Sequence, residues 1–314
     1  MAMNTASAYT RDQIDQFLEY IELPKEFHYA PPSLSLLRAL HVYMLSRVPY
    51  ENLSLHYNPS HAIVLDPQHL FKKIVVDRRG RGGYCMEVAL LYNHILCGLG
   101  FDSYTVGVRT RPRLEGVPQG EFPGWIHIIS IVTIGGDRYH VDVGFGGDGA
   151  TMPMPLVDGL VHRNIGTQQI RLVRDWIPTQ TKRTEESKLW IYQYRNRADA
   201  DWNAFYAFAE LEFMPADWEV INWYTGHHPK SWQTYTMLAI KFLRRPREDG
   251  QGEIIYGKRM LVNGVFKENL GSKTRVIMEC STEKERVQAL EKYFDIRLTD
   301  EEIDAIKGWR TALS

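Results

Sequence analysis

A chain of 314 residues with 37 Lys+Arg against 38 Asp+Glu, a formal net charge of −1, carries no electrostatic footprint for nucleic acid or an anionic membrane. Its three cysteines, Cys85, Cys97 and Cys280, are too few and too scattered for a disulfide framework or a zinc site, which fits a reducing, cytoplasmic setting. No apolar run approaches the roughly 18 residues that span a bilayer, and Met1 to Ala8 reads as a small, polar, frayed start rather than a signal peptide.

The first third reads helical. Thr10-Arg11-Asp12-Gln13 is a capping-box pattern, followed by Ile14, Phe17, Leu18 and Ile21 on one face. A second helix is expected near Leu34 to Ser46, and a third after Cys85, where Val88, Leu91, Ile95 and Leu99 keep helical spacing until Gly98 and Gly100. The pattern changes near Phe101. Ser103–Arg109, Trp125–Ile134, Arg138–Val143, Gln169–Arg174 and Lys188–Arg195 are short, β-branched and aromatic-rich, as strands of a sheet or small barrel would be. After about Met214 the pattern is mixed. Thr234–Leu243, Ile254–Tyr256 and Arg259–Val262 look like strands, and two helices capped by Thr282 with Glu285 and Thr299 with Glu302 follow. The basic run Lys241 to Arg247, closed by Glu248 and Asp249, is expected in a solvated loop.

The chemistry concentrates at Arg81-Gly82-Gly83-Tyr84-Cys85-Met86-Glu87. A cysteine here opens a helix, where unpaired N–H groups and the macrodipole favour negative charge, so the thiol is expected to lean toward thiolate. A nucleophilic cysteine needs a base and a group to orient that base. His94, nine residues further along the same helix, is about 13 Å away along the axis and cannot serve. His127 interrupts the apolar strand Trp125–Ile131. With Gly135-Gly136 as a two-residue hairpin loop, Asp142 becomes the same-face diagonal neighbour of His127, where its carboxylate can hold the imidazole Nδ1–H. His140 shares that face nearer the turn and is the runner-up base. Local rules leave open whether the helix start faces this hairpin.

Gly144-Phe145-Gly146-Gly147-Asp148-Gly149 matches a dinucleotide-binding fingerprint, but Ala150-Thr151-Met152-Pro153-Met154-Pro155 cannot begin the helix such a site needs. These glycines are read as allowing close backbone approach.

The cysteine segment, His127 and Val141-Asp142-Val143-Gly144-Phe145-Gly146-Gly147 together resemble the arylamine N-acetyltransferase family. Val48-Pro49-Tyr50-Glu51-Asn52-Leu53, Glu219-Val220-Ile221-Asn222-Trp223-Tyr224 and Pro229-Lys230-Ser231 extend the resemblance in family order from about residue 10 to 300. It implies an α+β fold: an N-terminal helical domain (1–100), a central β-barrel domain (101–213) and a C-terminal α/β lid (214–314) around a cysteine-protease-like Cys-His-Asp core. It implies Cys85, His127 and Asp142 as nucleophile, base and orienter of an acyl-CoA:arylamine N-acyltransferase. That enzyme would work by a ping-pong mechanism on aromatic amines or hydrazines, with acetyl-, propionyl- or malonyl-CoA as co-substrate and no metal or permanently bound cofactor. Phe145 matches a position lining the acceptor pocket, and Gly124, Tyr224 and Lys230 match positions near bound CoA. Ala89 stands where many members have Asn, and Pro123 precedes Gly124 where members vary. The alternatives are a cysteine hydrolase of the papain or transglutaminase type, whose chain order is also Cys, His, Asp, and a non-catalytic relative of the same fold.

Overall fold

A computed structural model describes residues 7–114 and 116–314; residues 1–6 of the expected frayed start lie outside the described residues. Thr10 accepts the Gln13 N–H and Gln13 returns a bond to the Thr10 N–H, so the capping box starts a helix over Arg11–Tyr20 and buries Ile14, Phe17 and Leu18. Ser33 caps the second helix, Leu34–Arg47. The cysteine helix runs Cys85–Gly98. Leu37, Leu40, Leu91 and Ile95 from these helices are fully buried, which stabilises the fold by roughly 2 kcal/mol each. They share one core with Phe242 and Ile255 from the C-terminal part of the chain.

The middle of the chain forms an eight-stranded antiparallel sheet that curls as a half-barrel. Its order is Met154–Pro155, Asp137–Val141, His127–Ile134, Asp102–Thr110, Asn203–Glu212, Leu189–Arg195, Gln169–Asp175 and Val161–Arg163. Five of these match the expected strands to within two residues. Asn203–Glu212, which lies at the sheet's centre, was not expected, although Phe205, Tyr206 and Phe208 make it aromatic-rich. The hairpin is as read: Ile134 pairs with Asp137 and Ser130 with Val141, around Gly135 and Gly136 at φ 61° and 91°. No helix follows Gly149; the chain runs through coil into Met154–Pro155, against a dinucleotide site.

A second antiparallel sheet has the order Tyr50–Glu51, Leu238–Pro246, Glu253–Val262, Val265–Asn269 and Thr274–Glu279. The two-residue strand Tyr50–Glu51 leaves the helical third to pair with Leu238–Pro246, and it also bridges to Gly83 beside the cysteine. The basic run expected as a loop is a strand as far as Pro246. Two of its charges are matched across the fold, Lys241 to Asp295 and Arg244 to Glu22 and Glu253, so these need no solvent on every side. Glu253–Val262 is one continuous strand where two were expected, and Val265–Asn269 and Thr274–Glu279 are additional. Between the sheets a helix over Pro215–His227 sends the Trp218 Nε1–H to Thr105 Oγ1 at 3.0 Å, and its Asn222 accepts the Tyr84 hydroxyl. The caps at Thr282 and Thr299 form as expected.

Candidate active site

The glycines before the cysteine are forced by backbone proximity. A Cβ on Gly82 would collide with the Pro49 carbonyl oxygen, and the Gly83 carbonyl takes the Glu51 N–H at 2.9 Å. The turn is pinned from below by buried charges. Glu51 accepts from the Gly82 N–H at 3.3 Å and from Arg81 Nε at 2.9 Å, while Arg81 also pairs with Glu302. Lys73 donates to Glu87 at 2.7 Å and to Ser54 at 3.1 Å. Glu87 in turn accepts the Tyr84 N–H at 3.1 Å. Arg81 therefore holds the turn through Glu51, and Glu87 closes the first helical turn. Burial alone would raise the Glu51 carboxyl, but the Arg81 and Lys73 charges and the bonds from Arg81 and Leu53 take it down to about 2.

Cys85 is the first residue of its helix and is buried, with Sγ 3.9 Å from the Ile126 carbonyl oxygen, one residue before His127. Asp142 arrives from the other arm of the hairpin. Its Oδ2 lies 2.9 Å from His127 Nε2 and its Oδ1 accepts the Gly144 N–H at 3.0 Å. Gly144 brings this loop onto the cysteine: a Cβ there would sit 2.9 Å from Cys85 Cα and 3.0 Å from the Cys85 carbonyl oxygen. The helix start and the hairpin thus meet at one place. Two details differ from expectation. The imidazole turns Nε2, not Nδ1, to Asp142, and its ring packs edge-on against Phe145 at 5.2 Å and tilted against Tyr206 at 5.9 Å. Nδ1 is then the nitrogen left for a thiol.

The second difference is electrostatic. Burial pushes the Cys85 thiol above its ordinary range, against the thiolate bias of a helix start. The Met86 N–H at the helix start pulls the other way, but the Asp142 and Glu87 charges push it up again. A proton lost to solvent would leave an extra anion in a dry pocket that already holds two. A proton passed to His127 leaves the pocket's net charge unchanged, so the surroundings favour transfer between the two side chains over loss to solvent. Asp142 can support that step. Burial would raise its carboxyl, yet the His127 charge and hydrogen bond, His140 and the Gly144 N–H outweigh it and hold the carboxyl below its ordinary value. His140, the runner-up base, is fully buried and hydrogen-bonded to Tyr206 at 2.7 Å. Burial brings its pKa down to about 4, so it is no base at neutral pH.

The N-acetyltransferase family profile matches residues 33–303 of this chain. The chain belongs to the arylamine N-acetyltransferase family. It is 34% identical to an N-malonyltransferase of Fusarium pseudograminearum over 94% of this chain and 91% of that protein. With an arylamine N-acetyltransferase of Escherichia coli the identity is 28% over 68% of each chain. In three dimensions it is similar to the arylamine N-acetyltransferase of Salmonella typhimurium, with a TM-score of 0.76, 23% identity, and 95% of this chain and 98% of that one covered. It is likewise similar to the Mycobacterium marinum enzyme solved in complex with CoA, with a TM-score of 0.73, 23% identity and the same coverage. This member of the family is an acyltransferase with the family's mixed helix and sheet architecture.

Of the other residues singled out by resemblance to the family, Phe145 is brought to the centre. It packs on His127 and, at 4.6 and 4.8 Å, on Phe205 and Tyr206. Gly124 is exposed and a Cβ there would meet nothing within 4 Å. Tyr224 lies on the Pro215–His227 helix, stacked on His228 at 4.6 Å. Lys230 follows that helix, exposed. Neither contacts the Cys85–His127–Asp142 group. Ala89, where many members have Asn, is buried in an apolar cluster with Tyr84, Cys85 and Ile128, which asks for no hydrogen bond. Sequence reasoning missed Tyr206, whose hydroxyl lies 3.2 Å from Asp142 Oδ2. The signal was the aromatic-rich run Phe205, Tyr206, Ala207, Phe208, but nothing local tied it to Asp142. It also missed Tyr50, buried beside the turn, whose hydroxyl accepts from Gln233 at 2.6 Å.

Proposed function

We propose that this protein is an acyl-CoA:arylamine N-acyltransferase that carries a short acyl group as a thioester on Cys85. The observation that carries this reading is the meeting of the Cys85 helix start with the His127–Asp142 pair across Ile126 and Gly144. In the first half-reaction the Cys85 proton passes to His127 Nδ1 and the sulfur attacks the thioester carbonyl of the acyl-CoA. The tetrahedral adduct collapses with loss of CoA thiolate, which takes the proton from His127. In the second, an aromatic amine or hydrazine attacks the acyl-cysteine, His127 accepts a proton from nitrogen, and Cys85 leaves as the thiol. Splitting one transfer into two predicts ping-pong kinetics. Asp142 holds Nε2 and so leaves Nδ1 to take the Cys85 proton.

Phe145 and Phe205 supply an aromatic wall beside His127 for the ring of the acceptor. Gly124, Tyr224 and Lys230 are assigned to the CoA side, with Lys230 free to meet a phosphate as a point charge. The resemblance to proteins named N-malonyltransferase makes malonyl-CoA the first donor to test, ahead of acetyl- and propionyl-CoA. Three free cysteines support a reducing, cytoplasmic setting.

Incubation with each acyl-CoA, followed by intact mass and peptide mapping, tests the reading. The expected result is an acyl adduct on Cys85 that clears when an arylamine is added. No adduct with any of the three donors, or an adduct that survives Cys85→Ala, sinks it. Acyl-CoA consumed into water alone would point to a hydrolase instead.

A further inference from the structure

Behind Asp142 the polar chain continues into the barrel side of the sheet. Tyr206 Oη lies 3.2 Å from Asp142 Oδ2 and 2.7 Å from His140 Nε2. Both Tyr206 and His140 are fully buried, so neither can exchange these partners for water. The rings are locked as well: His140 is stacked on Tyr206 at 5.9 Å and Tyr192 at 6.2 Å, and tilted on Phe208 at 5.4 Å.

Tyr206 has one proton for two neighbours. Were it given to His140 Nε2, Asp142 Oδ2 would face an oxygen lone pair at 3.2 Å, and the His140 proton would sit on Nδ1. That atom is buried and meets no hydrogen-bond partner of good geometry among the described residues, its own backbone carbonyl offering only a weak contact. A buried N–H without an acceptor is the costlier defect; a bare ring nitrogen without a donor is the milder one. The proton order that satisfies every donor therefore runs His140 Nε2–H to Tyr206 Oη, Tyr206 O–H to Asp142 Oδ2, and His127 Nε2–H to the same carboxylate. With the Gly144 N–H on Oδ1, the carboxylate receives three hydrogen bonds.

We propose that His140 is a positioning residue of the acyl transfer: its Nε2–H commits the Tyr206 proton to Asp142, and so holds His127 in the tautomer that can take the Cys85 proton. This rests on Cys85 being the acyl carrier. His140 stays neutral in this role. The groups facing it are Asp142, His41, His127, Tyr192 and Tyr206. Burial lowers its pKa first, the Asp142 charge opposes that, and His41 and His127 lower it further, to about 4. Losing the His140 donor frees Tyr206 to turn away. Asp142 then bears a less shared charge, which holds the proton on the Cys85 thiol more tightly. The acid limb of any reaction of Cys85 should move to higher pH.

The test measures two rates against pH in wild type, His140→Phe, His140→Gln and Tyr206→Phe: single-turnover acyl loading, and iodoacetamide alkylation of Cys85 followed by peptide mass. Phe keeps the ring's packing and removes the donor; Gln returns an N–H near the Nε2 position. The expected result is loading slowed about tenfold in His140→Phe, the scale of one hydrogen bond to a charged group. The acid limb of both rates should shift up, His140→Gln should recover most of the loss, and His140→Phe should cost nothing further in the Tyr206→Phe background. A wild-type rate and limb in His140→Phe overturns the proposal. So does a loss on adding His140→Phe to Tyr206→Phe as large as in wild type, since His140 would then act by another route. If His140→Phe fails to fold, His140→Gln with wild-type behaviour beside His140→Asn with a shifted limb supports the proposal, and two identical limbs overturn it. A wild-type enzyme that takes no acyl group refutes the function reading instead, and the alkylation limb still reports on His140.

Discussion

Asp142→Asn changes one atom and should stop acyl loading almost entirely. The carboxylate meets two separate demands: Oδ1 accepts the Gly144 N–H at 3.0 Å, and Oδ2 accepts from His127 Nε2 at 2.9 Å and Tyr206 at 3.2 Å. An asparagine has one oxygen. If it stays on Gly144, whose backbone cannot move away from Cys85, the amide NH2 faces His127 and requires Nε2 as an acceptor. The imidazole proton is then on Nδ1, the nitrogen that must receive the Cys85 proton. The lost charge-assisted bond is worth about 2–3 kcal/mol, some 30- to 150-fold in rate, and the wrong tautomer multiplies this toward the roughly 10⁴ known for the same change in a serine triad. Folding should suffer by only about 1–2 kcal/mol, because the amide still fills the space and keeps one partner. Stopped-flow loading with acyl-CoA, beside a urea titration, separates the two effects. Loading within about tenfold of wild type in a folded Asp142→Asn variant refutes the tautomer argument.

Glu51, at about 2 in the fold against an ordinary 4.5, supplies stability that is fully present above pH 4.5 and drains away as pH falls toward 2. Its share is about 3 kcal/mol, and urea midpoints at about pH 3 and pH 6 should converge in Glu51→Gln relative to wild type; parallel curves would count against it. Lys73→Met strands the buried Glu87 carboxylate and should cost about 3–5 kcal/mol in unfolding, much of it recovered by adding Glu87→Gln; an unchanged denaturation curve contradicts the buried pair. Gly144→Ala drives a methyl to within 2.9 Å of Cys85 Cα, so acyl loading should fall at least about tenfold; a wild-type loading rate in a folded Gly144→Ala variant would disconnect the loop from Cys85.

The parts of this protein that could be read without coordinates are those set by neighbours in the chain. Thr10, Thr282 and Thr299 cap their helices because the partner is three residues away. Gly135-Gly136 fixes the register that sets Asp142 diagonal to His127, because a two-residue loop leaves no slack. The recurring motifs supplied the family. Helix Pro215–His227 and strand Asn203–Glu212 were illegible because their apolar residues face several partners at once and follow no single period. The thiol at the helix start shows the division most sharply. Its place in the chain argued for a thiolate, and that local field is real, since the Met86 N–H lowers the thiol's pKa. Burial by residues brought from Tyr50, Ile128 and Trp218, and the charges of Asp142 and Glu87, outweigh it. Capping and hairpin register act over a few residues and are written in order along the chain. Which imidazole nitrogen faces Asp142, how dry the sulfur is, and that Tyr206 and His140 stand behind the carboxylate depend on segments scores of residues apart, and exist only once the core has closed around them.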